Sequence, residues 1–165
     1  MTDARSLYLA DPDATAALAG ALAASAPSVA VVHLHRDLGT GKSTLARAWL
    51  RALGVGGPVR SPTYTLVERY PLATGGEALH LDLYRIGDAG ELEFLGLDDA
   101  DARLWLVEWP ERGRGSLPGP DLEVMLGVDG RGRGARLVFR GGVGQAWLAA
   151  FEDCCRLRGL PEPKP

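Results

Sequence analysis

Gly41, Lys42 and Ser43 follow one another in the segment HRDLGTGKST, at residues 35–44. Glycine allows several backbone N–H groups to approach a polyphosphate closely, and a following helix adds the positive end of its dipole. The Lys42 ammonium would bridge the β- and γ-phosphates as a point charge, and the Ser43 hydroxyl would be a ligand of Mg²⁺. These residues predict a phosphate-binding loop.

The elements on both sides of this segment fit that prediction. Residues 28–35 are a nearly unbroken apolar run, typical of a strand that is buried on both faces of a parallel sheet. Residues 42–53 have apolar side chains at helical spacing, and Gly54 follows where a helix cap belongs. The complete pattern G-x-x-x-x-G-K-[ST] requires glycine where this sequence has Arg36. A purely structural turn is the alternative that these residues leave open.

Two carboxylates stand at the ends of later predicted strands. Asp82 lies near the end of the strand at 78–84, and Glu108 directly follows the strand at 104–107. Asp82 suits a Walker-B-like carboxylate that holds Mg²⁺ or its water, or orients an attacking water; a turn cap is the alternative. Glu108 lies at the sheet edge where α/β proteins bind ligands, and a charge there without a ligand would be costly.

Hydroxyl-bearing residues cluster in the segment SPTYTLVE, at 61–68. Such a segment is able to switch between ordered and mobile states around a γ-phosphate, and an edge strand is the alternative. Trp109, which follows Glu108, would pack against the loop or a base, or belong to the core. This region of the sequence therefore adds a candidate switch and a candidate aromatic contact to the loop.

The composition indicates one compact domain. The chain has 165 residues, 46% of them hydrophobic, and a net charge of −3, so no general basic field would hold nucleic acid. No apolar stretch is long enough to cross a bilayer, and the first residues lack the pattern of a secretory signal, so we expect a cytoplasmic protein with no membrane partner. The predicted strands are 6–9, 28–35, 65–70, 78–84, 104–107, 122–128 and 135–140, and the predicted helices are 13–25, 42–53, a short one after Asp88, and 145–158.

Five segments together resemble the bacterial TsaE family, also called YjeE, the ATPase of tRNA threonylcarbamoyladenosine (t6A) biosynthesis. They are HRDLGTGKST, SPTYTLVERY, HLDLYRIGDAGELEFLGL, LVEWPERG and LPGPDLEV. The resemblance covers roughly residues 5–140 and implies an α/β fold. The expected domain is a single P-loop NTPase-like three-layer α/β/α domain over residues 1–158, with a central mixed, mostly parallel sheet. A flexible tail is expected at residues 159–165.

The resemblance also implies ATP and Mg²⁺ as cofactors and assigns residues to them by matching position. Mg²⁺ would be bound by Ser43 and Glu108, and the catalytic residues would be Asp82, Lys42 and Glu108. The phosphate cradle would consist of Asp37, Leu38, Gly39, Thr40, Gly41 and Lys42. The other nucleotide contacts would be Thr63 and Thr65 in the switch segment, Trp109 beside the site, and Asp13, Glu111 and Arg133.

The implied partners are the TsaB and TsaD proteins, which transfer the threonylcarbamoyl group to adenosine 37 of tRNAs that read ANN codons. Contact with tRNA would be indirect, through that complex. ATP hydrolysis would be weak in the isolated chain, stimulated by the partners, and used to reset their assembly between turnovers. Two alternatives remain open: a small-molecule or nucleotide kinase on a P-loop fold, and a partner-binding protein with a degenerate nucleotide site.

Overall fold

Seven strands form one sheet in the computed structural model, which describes residues 3–35 and 40–165. In chain order the strands are β1 (Asp3–Leu9), β2 (Ala30–His35), β3 (Val67–Pro71), β4 (Glu77–Asp82), β5 (Ala102–Glu108), β6 (Leu122–Asp129) and β7 (Gly132–Phe139). Across the sheet they are arranged in the order β1-β7-β6-β2-β5-β4-β3. Strands β6, β2, β5 and β4 pair in parallel, and the strands at both edges pair antiparallel.

The predicted α/β fold with a mixed, mostly parallel central sheet is confirmed, since five of the seven described strands, β1, β2, β4, β5 and β6, run in the same direction. Within the described ranges, three of the six strand pairings are antiparallel. Two of these pairings are hairpins, β3–β4 and β6–β7, and a short turn between consecutive strands leaves no room for the crossover that a parallel pairing needs. The third is formed by β1, which adds to the edge of the second hairpin.

Three α-helices cover one face of the sheet: α1 (Pro12–Ser25), α2 (Lys42–Ala52) and α3 (Gly141–Leu157). Helix α1 starts where the sequence places Pro12 after Asp11, and the Asp11 carboxylate accepts a hydrogen bond from the Ala14 backbone N–H at 2.8 Å. Between helices and sheet, Trp49 and Trp147 meet edge to face in the main core. None of the described helices is long and apolar enough to cross a membrane.

The opposite face is covered by 3₁₀-helices and loops rather than by α-helices. The segment Ala89–Leu95, which the sequence predicts as a short helix, is a 3₁₀-helix that begins at Asp88, whose carboxylate accepts a hydrogen bond from the Gly90 N–H. It packs over the apolar side of β4 and β5, in a second core formed by Leu79, Leu81, Leu83, Ile86, Leu92 and Val107. The third layer is therefore thinner than expected.

Strand β3 begins two residues later than predicted. The backbone N–H of Leu66 donates to the carbonyl of Pro62 at 2.8 Å, which closes a turn before the strand, and Leu66 has a left-handed φ of 67°. The local turn satisfies the backbone groups that a strand would otherwise pair with a neighbour. As a result, Thr63 lies in a turn and Thr65 at its end, rather than in a strand.

The last residues lie beside β1. Ser6 and Lys164 exchange two backbone hydrogen bonds, at 2.7 and 3.0 Å, in an isolated antiparallel bridge. This bridge gives the segment after α3 a defined contact with the sheet edge. The flexibility expected of residues 159–165 stays a prediction.

Candidate functional site

The carboxyl ends of β2, β4 and β5 meet at one edge of the sheet, beside the start of α2. In the parallel ladder, Asp82 at the end of β4 is the register partner of Glu108 at the end of β5, and Leu34 of β2 lies opposite Glu108 on its other side. The two carboxylates predicted from the sequence are therefore neighbours in space. Ligands of open α/β sheets bind at this edge, outside the carboxyl ends of the strands.

Helix α2 begins at this edge with an N-terminus suited to an anion. Gly41 precedes the helix with φ 103° and ψ 13°, a left-handed conformation that a side chain disfavours, although a Cβ atom there would meet no atom within 4 Å. Among the described residues, no side chain caps the first turn. The positive end of the helix dipole at this terminus favours a negatively charged group.

The hydroxyl of Ser43, in the first turn of α2, contacts the carboxylate of Glu108. Ser43 Oγ lies 3.1 Å from Oε1 and 3.3 Å from Oε2 of Glu108. On the other side of the same carboxylate, His80 Nε2 lies 2.7 Å from Oε2. Glu108 is only 3% exposed and His80 only 2%, so both interactions are shielded from solvent. The two residues assigned to Mg²⁺ are in direct contact.

Both oxygens of Asp82 are hydrogen-bonded, and the residue is buried. Thr63 Oγ1 donates to Oδ2 at 3.3 Å, and the backbone N–H of Tyr84 donates to Oδ1 at 3.1 Å. Thr63 in turn shares a hydrogen bond of 2.7 Å with the hydroxyl of Ser61. The 61–68 segment is thus connected to the Asp82 carboxylate through Thr63. Such a hydrogen bond is expected of a segment whose conformation depends on what is bound in the site.

Lys42 and Trp109 line the same cleft as these carboxylates and contact each other. The Lys42 Nζ atom lies 4.4 Å from the centre of the Trp109 ring, within the range of a cation–π interaction. Trp109 has a left-handed φ of 57°, a strained conformation for an aromatic residue, and its ring contacts Tyr84 at 5.0 Å between centroids. The structure therefore holds the tryptophan beside the predicted phosphate-binding lysine.

These side chains surround a cleft of about 420 Å³. It is lined by Gly41, Lys42, Ser43, Thr44, Thr63, Asp82, Tyr84, Arg85, Glu108, Trp109 and Arg133. A larger cleft of about 790 Å³ lies between β1, α1 and the segment after α3, but its lining is mainly apolar and includes none of the predicted site residues. The smaller cleft is the one where a cation, a hydroxyl, a helix N-terminus and two carboxylates converge.

Of the predicted site residues that the structure describes, four are not part of this cleft lining. Thr65 donates to Glu68 Oε1 at 3.0 Å instead, because the turn at 62–65 directs it along β3. Asp13 is exposed in the first turn of α1, and Glu111 is exposed in the 3₁₀-helix Pro110–Gly113. Thr40 is buried next to the cleft. Asp37, Leu38 and Gly39, assigned to the phosphate cradle, lie outside the described residues, as does Arg36.

The structure adds four residues that the sequence interpretation did not assign to the site. Thr44, Tyr84 and Arg85 line the cleft, and His80 contacts Glu108. A signal for two of them is present in the sequence, because Tyr84 and Arg85 directly follow the strand that ends with Asp82. His80 reads as an ordinary strand residue, since its contact depends on how β4 and β5 pair.

Two titratable groups with shifted pKa values lie on the other face of the sheet. Burial alone would raise the pKa of Glu123, but hydrogen bonds and charge attraction from Arg140 and His35 outweigh it and lower that pKa. The pKa of His33 is lowered by burial, and then by the charge of His35. These groups are separate from the cleft. Side chains alternate along β2, so Val32 and Leu34 face the helices, whereas His33 and His35 face the other side of the sheet.

The donor set of the cleft fits Mg²⁺ that is bound together with a phosphate. Among the described residues, no group of three or more His, Cys, Asp or Glu side chains is arranged to hold a metal. Mg²⁺ commonly takes one or two protein oxygens and fills its remaining positions with water and substrate phosphate. Ser43 and Glu108 supply such a partial set of hard oxygen ligands. The cleft is therefore chemically suited to a magnesium–polyphosphate complex rather than to a metal alone.

Comparison with known proteins assigns the family. The model of the family "Threonylcarbamoyl adenosine biosynthesis protein TsaE" matches residues 9–135. The tRNA threonylcarbamoyladenosine biosynthesis protein TsaE of Haemophilus influenzae is 42% identical over 126 residues, which are 74% of this chain and 78% of the relative. The protein of the same name from Bacillus subtilis is 35% identical over 123 residues, 70% of this chain and 73% of the relative. The crystal structure of Bacillus subtilis YdiB superimposes with a TM-score of 0.73 at 26% identity, over 96% of this chain and 98% of that one. The chain belongs to the TsaE family.

Proposed function

We propose that this chain is a Mg²⁺-dependent ATPase that supports formation of t6A at position 37 of tRNAs that read ANN codons. Membership of the TsaE family supports the role in t6A biosynthesis. The observation that carries the ATPase proposal is the contact between Ser43 and Glu108, at 3.1 Å, in a cleft that also contains Lys42 and Asp82. Ser43 and Lys42 come from the helix that follows β2, and the carboxylates come from two neighbouring strands.

The start of α2 binds the phosphates in this proposal. The N–H groups of its first turn and the Lys42 ammonium offset the negative charge of the triphosphate. Lys42 is 5% exposed, so it acts in a partly desolvated environment where electrostatic attraction is stronger than in water. Its contact with Trp109 holds the Nζ atom on one side of the cleft, which lowers the entropy that is lost when a phosphate binds.

Ser43 and Glu108 would hold Mg²⁺, the hydroxyl directly and the carboxylate directly or through a water molecule. When bound, Mg²⁺ would offset the negative charge of the triphosphate and so favour attack of water on the γ-phosphorus and departure of ADP. The chain's own contribution is the orientation of the two oxygen ligands. Because Glu108 is fixed at the end of β5 and Ser43 in the first turn of α2, little rearrangement is needed to bring them together.

Asp82 would orient the attacking water. Its Oδ1 and Oδ2 atoms are held by the Tyr84 N–H and the Thr63 hydroxyl, and both leave acceptor capacity, because each carboxylate oxygen accepts more than one hydrogen bond. Thr63 also connects Asp82 to the 61–68 segment. A movement of that segment would change the hydrogen bonding of Asp82 and thus the rate of hydrolysis.

TsaB and TsaD are the proposed partners, and hydrolysis by the isolated chain would be slow. Tyr64, in the 61–68 segment, is 78% exposed, and the Arg85 guanidinium lies 4.4 Å from the centre of its ring. A protein that binds this segment would move both Thr63 and Arg85, which line the cleft. This connection supports the proposal that partners stimulate hydrolysis and that hydrolysis resets their assembly.

Phosphate release in the presence of TsaB and TsaD tests the proposal. Lys42→Ala should lower ATP hydrolysis by roughly 100-fold or more, because a charge aimed at the transferred phosphate is lost. Lys164→Ala is the matched control, since it removes the same kind of side chain from a residue that pairs with β1, far from the cleft. Equal hydrolysis by wild type and Lys42→Ala would contradict the assignment of the loop.

The products of the same reaction separate the alternatives. Hydrolysis gives ADP and inorganic phosphate, whereas a small-molecule or nucleotide kinase leaves the γ-phosphate on a second molecule. A partner-binding protein with a degenerate site would give neither product and would not bind ATP. We expect ADP and free phosphate in equal amounts.

A further inference from the structure

We infer that His80 is a positioning residue that fixes the orientation of the Glu108 carboxylate for metal binding. The inference rests on the proposed Mg²⁺ site and adds a residue to it. His80 Nε2 lies 2.7 Å from Glu108 Oε2, the shortest of the three contacts that the structure gives between this carboxylate and the side chains of His80 and Ser43. A carboxylate held in this way presents its other oxygen in a defined direction.

The contact follows from the pairing of two strands. His80 and Asp82 are two residues apart on β4, so both point to the side of the sheet that the helices cover, as does Glu108 on β5. The parallel register of β4 and β5 places Glu108 opposite Asp82 and two residues beyond Leu106, the register partner of His80. The imidazole therefore reaches the carboxylate from the neighbouring strand, whereas Ser43 reaches it from the start of α2.

The proton of His80 is placed by its surroundings. Its Nδ1 atom is buried and has no hydrogen-bond partner among the described residues. A buried N–H without a partner is costly, so the orientation of the ring favours Nε2 as the atom that donates a hydrogen bond to Glu108. His80 is then a hydrogen-bond donor to the carboxylate. It acts only through the direction and strength of its hydrogen bond.

His80 has this role because the Glu108 carboxylate has two side-chain partners, His80 and Ser43. Ser43 has one hydroxyl proton, and it lies at similar distances from both oxygens of Glu108. With Oε2 held by His80, Oε1 is the oxygen that faces Ser43 at the shorter distance. Without His80, the carboxylate is free to turn about its last side-chain bond, and the ligand pair is less often in the geometry that a metal needs.

Calorimetric titration of ADP at a series of Mg²⁺ concentrations tests the inference without relying on turnover. His80→Leu, which fills a similar space but has no donor, should raise the Mg²⁺ concentration needed for half-maximal gain in ADP affinity by about 10- to 100-fold. ADP binding in the presence of EDTA should be unchanged, because Lys42 and α2 are untouched. His80→Gln should recover most of the wild-type Mg²⁺ dependence, since its amide reaches the position of Nε2.

One control variant and one substitute variant complete the experiment. His33→Leu changes a histidine of β2, on the opposite face of the sheet, and should leave the Mg²⁺ dependence unchanged. If His80→Leu does not fold, His80→Asn replaces it, because asparagine is too short to reach Glu108 and should differ from His80→Gln.

The possible results separate this inference from the proposed function. Wild-type protein whose ADP affinity does not respond to Mg²⁺ would contradict both. Wild-type protein that responds, together with a folded His80→Leu variant that responds at the same Mg²⁺ concentration, would overturn the role of His80 alone. A His80→Gln variant as impaired as the leucine or asparagine variant would also overturn it, because the donor would then be irrelevant.

Discussion

Replacement of Ser43 by alanine changes one atom at the centre of the site. It removes the hydroxyl that lies 3.1 and 3.3 Å from the two oxygens of Glu108 and leaves the contact with His80 in place. A hydrogen bond to a charged group contributes about 1.5–3 kcal/mol. Because these distances are long and Ser43 is half-buried, we expect the lower end of that range or less, about 1 kcal/mol. For a domain of this size that corresponds to a fall in Tm of about 2–4 °C.

The effect on metal binding should be much larger than the effect on stability. Ser43→Ala deletes a proposed ligand of Mg²⁺, and we expect the Mg²⁺ concentration for half-maximal ATPase activity to rise by about 10- to 100-fold. Ser43→Thr is the matched control, because it retains the hydroxyl in the same turn of α2. The assay is phosphate release at saturating ATP over a series of Mg²⁺ concentrations, with Tm measured on the same samples.

Two results would refute the reasoning. The first is a Mg²⁺ dependence of Ser43→Ala equal to that of wild type, which would mean that the hydroxyl is not a ligand. The second is a Ser43→Thr variant as impaired as the alanine variant, which would mean that packing around Glu108 is affected rather than metal binding.

Three further predictions test other parts of the structure. Asp82→Asn should retain ATP binding and lose turnover, and equal loss of both in calorimetry and phosphate release would assign Asp82 a structural role. Gly41→Ala should lower the free energy of unfolding by about 1–2 kcal/mol, because of the left-handed φ of 103°; Gly127→Ala, in an ordinary strand position, should have little effect in the same urea titration. The pKa of Glu123 is below its ordinary value of 4.5, so its charged form stabilises the fold above that pH and the contribution is lost as the pH falls through the folded-state pKa. Glu123→Gln should therefore flatten the loss of stability in acid, and an unchanged slope between pH 5 and 3 would contradict the charge interaction with Arg140.

The sequence predicts the parts of the site that depend on local order along the chain. The apolar run at 28–35 and the helical spacing at 42–53 predict a buried strand and a following helix, and both are confirmed, with Lys42 and Ser43 at the start of the helix. Asp82 and Glu108 end β4 and β5, as expected from their positions after apolar runs. The strand pattern therefore indicates which edge of the sheet carries the carboxylates.

The parts that the sequence does not predict depend on contacts between distant segments. The contact of His80 with Glu108 requires the pairing and register of two parallel strands, which no single stretch of residues encodes. The turn at 62–65 replaces the start of the expected strand, because a local hydrogen bond between Leu66 and Pro62 competes with strand pairing. The antiparallel pairing of β1 with β7 is also not predicted, because the positions of strands along the chain do not specify which strand a distant strand pairs with.

Calorimetric titration of the wild-type chain with ATP, with and without Mg²⁺, is the most direct test of the central claim that the cleft at the start of α2 binds a magnesium–nucleotide complex. We expect one ATP per chain, tighter binding when Mg²⁺ is present, and loss of that binding in Lys42→Ala. Absence of binding by the wild type, or binding that neither Mg²⁺ nor Lys42→Ala alters, would contradict it.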